Sequence, residues 1–235
     1  MYHNRFLKIK TSKELLGFYR KMSTSNNKNK DIMNLTKEDF WLFFKIYYKK
    51  VTNKVFIKSE EALQNLKPLA LYFLKENEFC NCINLETNNS KPSLKKGLLI
   101  VGKVGNGKTT YMKVIREILK RTKNKTFVVK NCKQIVLEFE SCNNQNDKAA
   151  FYNKYTRGVI MFDDIGSENK ASNFGIVNVI KEILSIRYEK QLLTHGTSNL
   201  TLENIREKYD MRTEDRFYDM FNIVRFEGRS MRGLS

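Results

Sequence analysis

The apolar run Leu98-Leu99-Ile100-Val101, followed by Gly102-Lys103-Val104-Gly105-Asn106-Gly107-Lys108-Thr109, restricts what this chain can become more than any other stretch. The run predicts a buried strand and the pattern from Lys108 to Arg121 predicts an amphipathic helix, so the glycines stand where a strand must turn into a helix. In that context a glycine-rich loop turns its backbone N–H groups inward, the form a phosphate-binding loop takes. A plain glycine turn would need neither the lysine nor the hydroxyl at these places. We assign Gly102, Gly105, Asn106, Gly107, Lys108, Thr109 and Thr110 to binding a nucleoside triphosphate. Lys108 would reach the β- and γ-phosphates, and the Thr109 hydroxyl would ligate Mg²⁺.

Beyond residue 94 short apolar runs alternate with longer amphipathic ones. Strands are expected at 98–101, 126–130, 159–162, 192–197 and 222–226, and helices at 108–121, 133–140, 148–155 and 174–190, with two short helices before the last strand. Such alternation predicts an α/β fold of three layers, with a mainly parallel five-stranded sheet covered on both faces. The third strand, Val159-Ile160-Met161-Phe162-Asp163-Asp164, ends in two carboxylates 55 positions after Lys108. A buried strand closed by acid delivers a carboxylate to the crevice at the carboxyl edge of the sheet, the Walker B pattern. Asp163 is expected to hold Mg²⁺, and Asp164 to orient or deprotonate the attacking water. Asp164 is one methylene shorter than the glutamate usual for that task, which predicts slow hydrolysis.

The first 93 residues read differently. Residues 1–30 form a basic, polar tail or linker, and residues 31–93 a small helical region assigned to partner binding. Within it Thr36 is the expected N-cap, with Asp39 at the third helical position and Leu35 against Phe40 as a hydrophobic staple. The aromatic set Phe40, Trp41, Phe43, Phe44, Tyr47 and Tyr48 recurs at helical spacing and is expected to pack against a second helical stretch at 60–75, which Pro68 should kink or split. Residues 84–93 read as the boundary, and 94–235 as the nucleotide-binding domain.

Among the 235 residues, 43 Lys and Arg outweigh 25 Asp and Glu, a net charge of +18. That favours a polyanionic partner, with nucleic acid ahead of a membrane surface. Cys80, Cys82, Cys132 and Cys142 form no Cys-x-x-Cys pair, and only His3 and His195 supply imidazole, so a zinc site is not expected. Without a secretory signal the thiols read as reduced, in a cytoplasmic protein, and no apolar run is long enough for a membrane span.

With these residues in hand, the stretch from Leu94 onward resembles the AAA+ ATPases of the DnaC and IstB type. The resemblance rests on the two phosphate and metal motifs, on Leu193-Thr194-His195-Gly196-Thr197-Ser198-Asn199-Leu200, and on Tyr209-Asp210-Met211-Arg212-Thr213-Glu214-Asp215-Arg216-Phe217-Tyr218-Asp219-Met220-Phe221. It implies a P-loop AAA+ domain using ATP and Mg²⁺, with Asn199 as sensor 1. Arg216 is then the finger offered to a neighbouring subunit's ATP in a homo-oligomer, and Arg232, with Arg229 second, is sensor 2. No C-terminal helical lid is expected. Such a protein would load a DnaB-like replicative helicase onto single-stranded DNA. An IstB-like transposition regulator on duplex DNA, a small-molecule kinase and a nucleotide-gated module with little turnover stay open. Two departures stand out: Asp210 replaces a glycine common at that position, and residues 1–93 match no family motif.

Overall fold

The computed structural model describes residues 35–228 and Ser230, without 123 and 174. The tail expected at 1–30, and Arg229 and Arg232, lie outside the described residues. The chain enters through α1 (Lys37–Thr52), whose start is set locally: the Thr36 hydroxyl accepts the Asp39 N–H at 3.1 Å and the Asp39 carboxylate accepts the Thr36 N–H at 3.4 Å. Helix α2 (Glu60–Phe73) begins at the Ser59 cap and runs continuously through Pro68, so of the kink or split expected there the split does not occur. Both helices bury one face, as their apolar spacing requires.

The nucleotide-binding elements follow: β1 (Gly97–Val101), α3 (Lys108–Arg121), β2 (Val128–Asn131), α4 (Cys132–Glu140), α5 (Gln145–Tyr155), β3 (Ile160–Ile165), α6 (Val179–Glu189), β6 (Thr194–Ser198), α7 (Leu202–Lys208), α8 (Met211–Met220) and β7 (Phe221–Arg225). Between β3 and α6 lies an antiparallel hairpin, β4 (Ala171–Ser172) with β5 (Ile176–Val177). The helix expected from residue 174 therefore begins at Val179. Asn173 explains the difference: its buried side-chain amide donates to the carbonyls of Phe139 and Cys142 at 3.0 and 2.9 Å, docking the hairpin on the end of α4.

The five main strands are parallel, in the order β2-β3-β6-β1-β7. Pleating sends alternate residues to opposite faces. Leu99, Phe162, Phe221 and Ile223 join the core formed with α4, α5, α6 and α8. On the opposite face His195 meets Tyr72 and Phe73 of α2. The aromatic face of α1 packs chiefly on α3, not on α2 as expected: the rings of Phe44 and Tyr48 meet Tyr111 at 5.3 and 6.3 Å. Phe56 fills the corner between them, 5.3 Å from Phe44 and 6.0 Å from Tyr111. Residues 84–86 run along β7, with a bridge from Leu85 to Val224. No helix among the described residues is long and apolar enough to cross a membrane.

Candidate nucleotide site

At the carboxyl edge of β1 the loop turns through Gly102, Gly105 and Gly107, each with positive φ. At Gly107 φ is 91°, the left-handed conformation that glycine adopts without strain, and the next residue opens α3. A side chain at Gly102 would place its Cβ 2.5 Å from the Phe226 carbonyl oxygen. Seven α-helices among the described residues carry a side-chain cap at their start, from Thr36, Ser59, Asn131, Asn144, Asn178, Thr201 and Asp210. Helix α3 has none. No N-cap side chain covers the first turn of α3, and with the helix dipole such a start favours an anion.

Lys108 is buried and its ammonium donates to the carbonyls of Gly102 and Lys103, at 2.7 and 2.8 Å, and to Asn199 Oδ1 at 2.8 Å. Asn106 is a structural member of the loop: its amide donates to the Phe226 carbonyl at 3.0 Å while its Oδ1 accepts from Lys108 at 3.2 Å. The loop is thus tied to the end of β7.

The motif at the end of β3 reaches the same place. Thr109 Oγ1 donates to Asp163 Oδ1 at 2.6 Å, and Asp163 is 7 % exposed. Asp164 takes a positive φ of 60°, and the β3–β6 register shifts between Phe162 and Ile165. The two acids thus occupy an irregularity that aims successive side chains differently from a regular strand. Asn199, just past β6, accepts from Lys108 and donates its amide to Asp164 Oδ1 at 3.3 Å. One network therefore joins Lys108, Asn199 and Asp164, and a second joins Thr109 and Asp163. The donor set fits a hard divalent cation: a hydroxyl and a carboxylate oxygen already in contact, facing a cationic loop suited to phosphate.

Sequence reasoning missed Thr197. Buried in β6, it donates its hydroxyl proton to Asp163 Oδ1 at 2.7 Å and accepts the Asp164 N–H at 2.9 Å. Its position at the end of the expected strand 192–197, two residues before Asn199, was the available signal.

Beside the loop opens a cavity of about 850 Å³, walled by Val55, Ile57 and Asn65 from the helical region and by Gly102, Asn199 and Phe226 from the sheet side. Val55 and Ile57 are 72 % and 62 % exposed. Asn65 binds the Glu227 backbone twice, at 2.9 and 3.0 Å, and holds α2 to the exit of β7.

Arg216 lies elsewhere. It projects from α8 toward α6, hydrogen-bonded to Ser185, 3.5 Å from Glu189 and 4.9 Å from the Tyr188 ring centroid. With Arg212 and Lys181 it lines a separate small cavity. The start of α8 is anchored by Tyr209, whose hydroxyl donates to the buried Glu168 in the loop after β3.

No family model matches the sequence, and no curated protein does. Solved structures do. The fold is similar to that of the DnaC helicase loader, with a TM-score of 0.54 and 17 % identity over 78 % of this chain and 99 % of that one. DnaI gives a TM-score of 0.52 at 18 % identity, covering 79 % and 92 %. AMPPCP-bound DnaA from Aquifex aeolicus gives 0.51 at 16 % identity, over 76 % of this chain and 50 % of DnaA.

Proposed function

We propose, from the premise that this chain has the DnaC-like AAA+ fold, that it is a Mg²⁺-dependent ATPase of DNA replication that loads a DnaB-like helicase. In this reading ATP drives homo-oligomer assembly on single-stranded DNA. The observation that carries it is the convergence of Lys108, Thr109, Asp163, Asp164 and Asn199 on one uncapped helix start.

Lys108 exchanges its loop carbonyls for phosphate oxygens, and the N–H groups of Gly107 to Thr110 cradle the phosphates. Thr109 and Asp163 hold Mg²⁺, which supplies charge neutralisation on the phosphates when bound. Asp164 accepts a proton from the attacking water, and the Asn199 amide orients that water, donating and accepting at once. The apolar walls at Val55 and Ile57 suit a purine base. Arg216, held outside its own site, serves a neighbour's ATP.

The test is ATP turnover per subunit measured against protein concentration, with and without single-stranded DNA. Turnover is expected to rise with concentration and to vanish in Lys108→Ala together with nucleotide binding. Arg216→Ala is expected to keep binding and lose most turnover. A rate that stays flat with concentration removes Arg216 from the mechanism, and tight ATP binding by Lys108→Ala overturns the site.

A further inference from the structure

The positive charge is distributed unevenly. Residues 131–235 contain 15 Lys and Arg against 15 Asp and Glu, whereas residues 109–130 contain seven Lys and Arg and the single acid Glu117. Residues 45–58 add five lysines and no acid. A lysine-rich composition alone would spread its excess evenly. The fold brings these two stretches together, because α1 packs on α3 through Phe44, Tyr48 and Tyr111.

On α3, Lys113, Glu117, Lys120 and Arg121 fall at helical spacing on one face. Tyr47 of α1 lies beside Glu117 and Arg121, and Lys50 stands over its ring at 5.7 Å. Glu117 is already shared by Arg116 at 3.8 Å and Lys120 at 2.8 Å. Lys50, Lys113 and Lys120 are exposed. The result is a cationic band along a helix about 21 Å long, at 1.5 Å per residue.

We propose that the joined face of α1 and α3, centred on Lys50, Lys113, Lys120 and Arg121, is a docking surface for a nucleic-acid phosphate backbone. The inference deepens the partner assignment above and rests on it for the class of partner. Two features select nucleic acid over an acidic protein. Protein interfaces are depleted in lysine and mix both signs, whereas this band is dominated by lysine and nearly free of acids. A uniform polyanion matches such a band wherever it lies along the helix, binding by counterion release without base contacts.

The experiment uses the full chain with ATP and a fluorescent oligothymidylate, reading anisotropy over a salt series. The band variant Lys50→Glu/Lys113→Glu/Arg121→Glu is compared with the corresponding Gln variant and with a control, Arg157→Glu/Lys170→Glu/Lys190→Glu. Binding of a fluorescent ATP analogue checks that each variant is folded. The band variants are expected to weaken DNA binding at least tenfold. Their log–log salt slope should fall by about 2, at roughly 0.7 per lost phosphate contact on a single strand. The control should stay within about twofold of the parent.

Equal affinity of the Gln band variant and the control overturns the proposal. So does displacement of the oligonucleotide by polyglutamate as effective, per charge, as displacement by unlabelled oligonucleotide, which would mark a dock for acidic protein. If the parent chain binds no nucleic acid yet hydrolyses ATP, the surface and the DNA partner fall while the ATPase assignment stands.

Discussion

Thr197 shows how much a single hydroxyl organises. It has one proton to give and lone pairs to accept with, and both are used: Asp163 Oδ1 receives the proton and the Asp164 N–H is received. The two acids are thereby held in different orientations by one atom. Thr197→Val keeps the shape and removes both bonds, leaving a half-buried N–H without its side-chain acceptor, at a cost toward the lower end of about 1–3 kcal/mol. We expect the variant to stay folded but to need several-fold more Mg²⁺ for half-maximal ATP turnover, while Thr197→Ser restores the parent value. A magnesium titration of the turnover rate checks this. An unchanged magnesium requirement in Thr197→Val would mean that the hydroxyl serves the fold alone.

At the scale of elements, the start of α8 carries an unusual conformation. Asp210 has φ 151° and ψ 174°, a region in which non-glycine residues store about 1–3 kcal/mol of strain. Its side chain offsets this by accepting the Thr213 N–H at 2.8 Å and pairing with Lys181 at 2.6 Å. The Lys181 contact, aided by the capping bonds, holds the Asp210 carboxyl down at about 2. Asp210→Gly loses the cap and relieves the strain, whereas Asp210→Ala loses the cap and keeps the strain. Thermal melts should therefore place the alanine variant lower, with the glycine variant near the parent. The packing of α1 on α3 makes a larger prediction. Phe44 is fully buried among Phe56, Tyr48 and Tyr111, so Phe44→Ala should cost about 3–5 kcal/mol, read as a lower denaturant midpoint. Because Tyr111 belongs to the helix that opens at the phosphate loop, nucleotide affinity should fall in the same variant.

Across the whole molecule, the sheet and the α2 layer close around an imidazole that cannot take up a proton freely. His195 is enclosed by Tyr72, Phe73 and Phe127, and its Nδ1 accepts the Leu98 N–H at 3.1 Å. Burial, with a smaller contribution from the nearby Arg187 cation, lowers its pKa to about 3. The unfolded chain binds this proton near pH 6.5, so the neutral ring contributes stability above that pH, lost as pH falls from about 6.5 toward 3. Denaturant midpoints should decline over that window, and His195→Asn should flatten the decline. Arg187, fully buried, is satisfied by the carbonyls of Tyr155, Gly158 and Leu193 and by the Thr194 hydroxyl.

Legible in the residues alone were the strand–loop–helix at 98–121, the cap at Thr36, the order of the main strands and helices, and the pairing of a glycine loop with an acidic strand end. Each of these follows from apolar periodicity or from the chemistry of a few adjacent residues, which act at short range along the chain. Only the tertiary structure decided that the aromatic face of α1 belongs to Tyr111, that Asn173 folds a hairpin onto α4, that Thr197 holds both acids, and that Val55 and Ile57 wall the cavity beside the loop. Those outcomes depend on which distant elements become neighbours. Neither a hydrophobic pattern nor a motif states that, because burial is set by the packing of the whole chain.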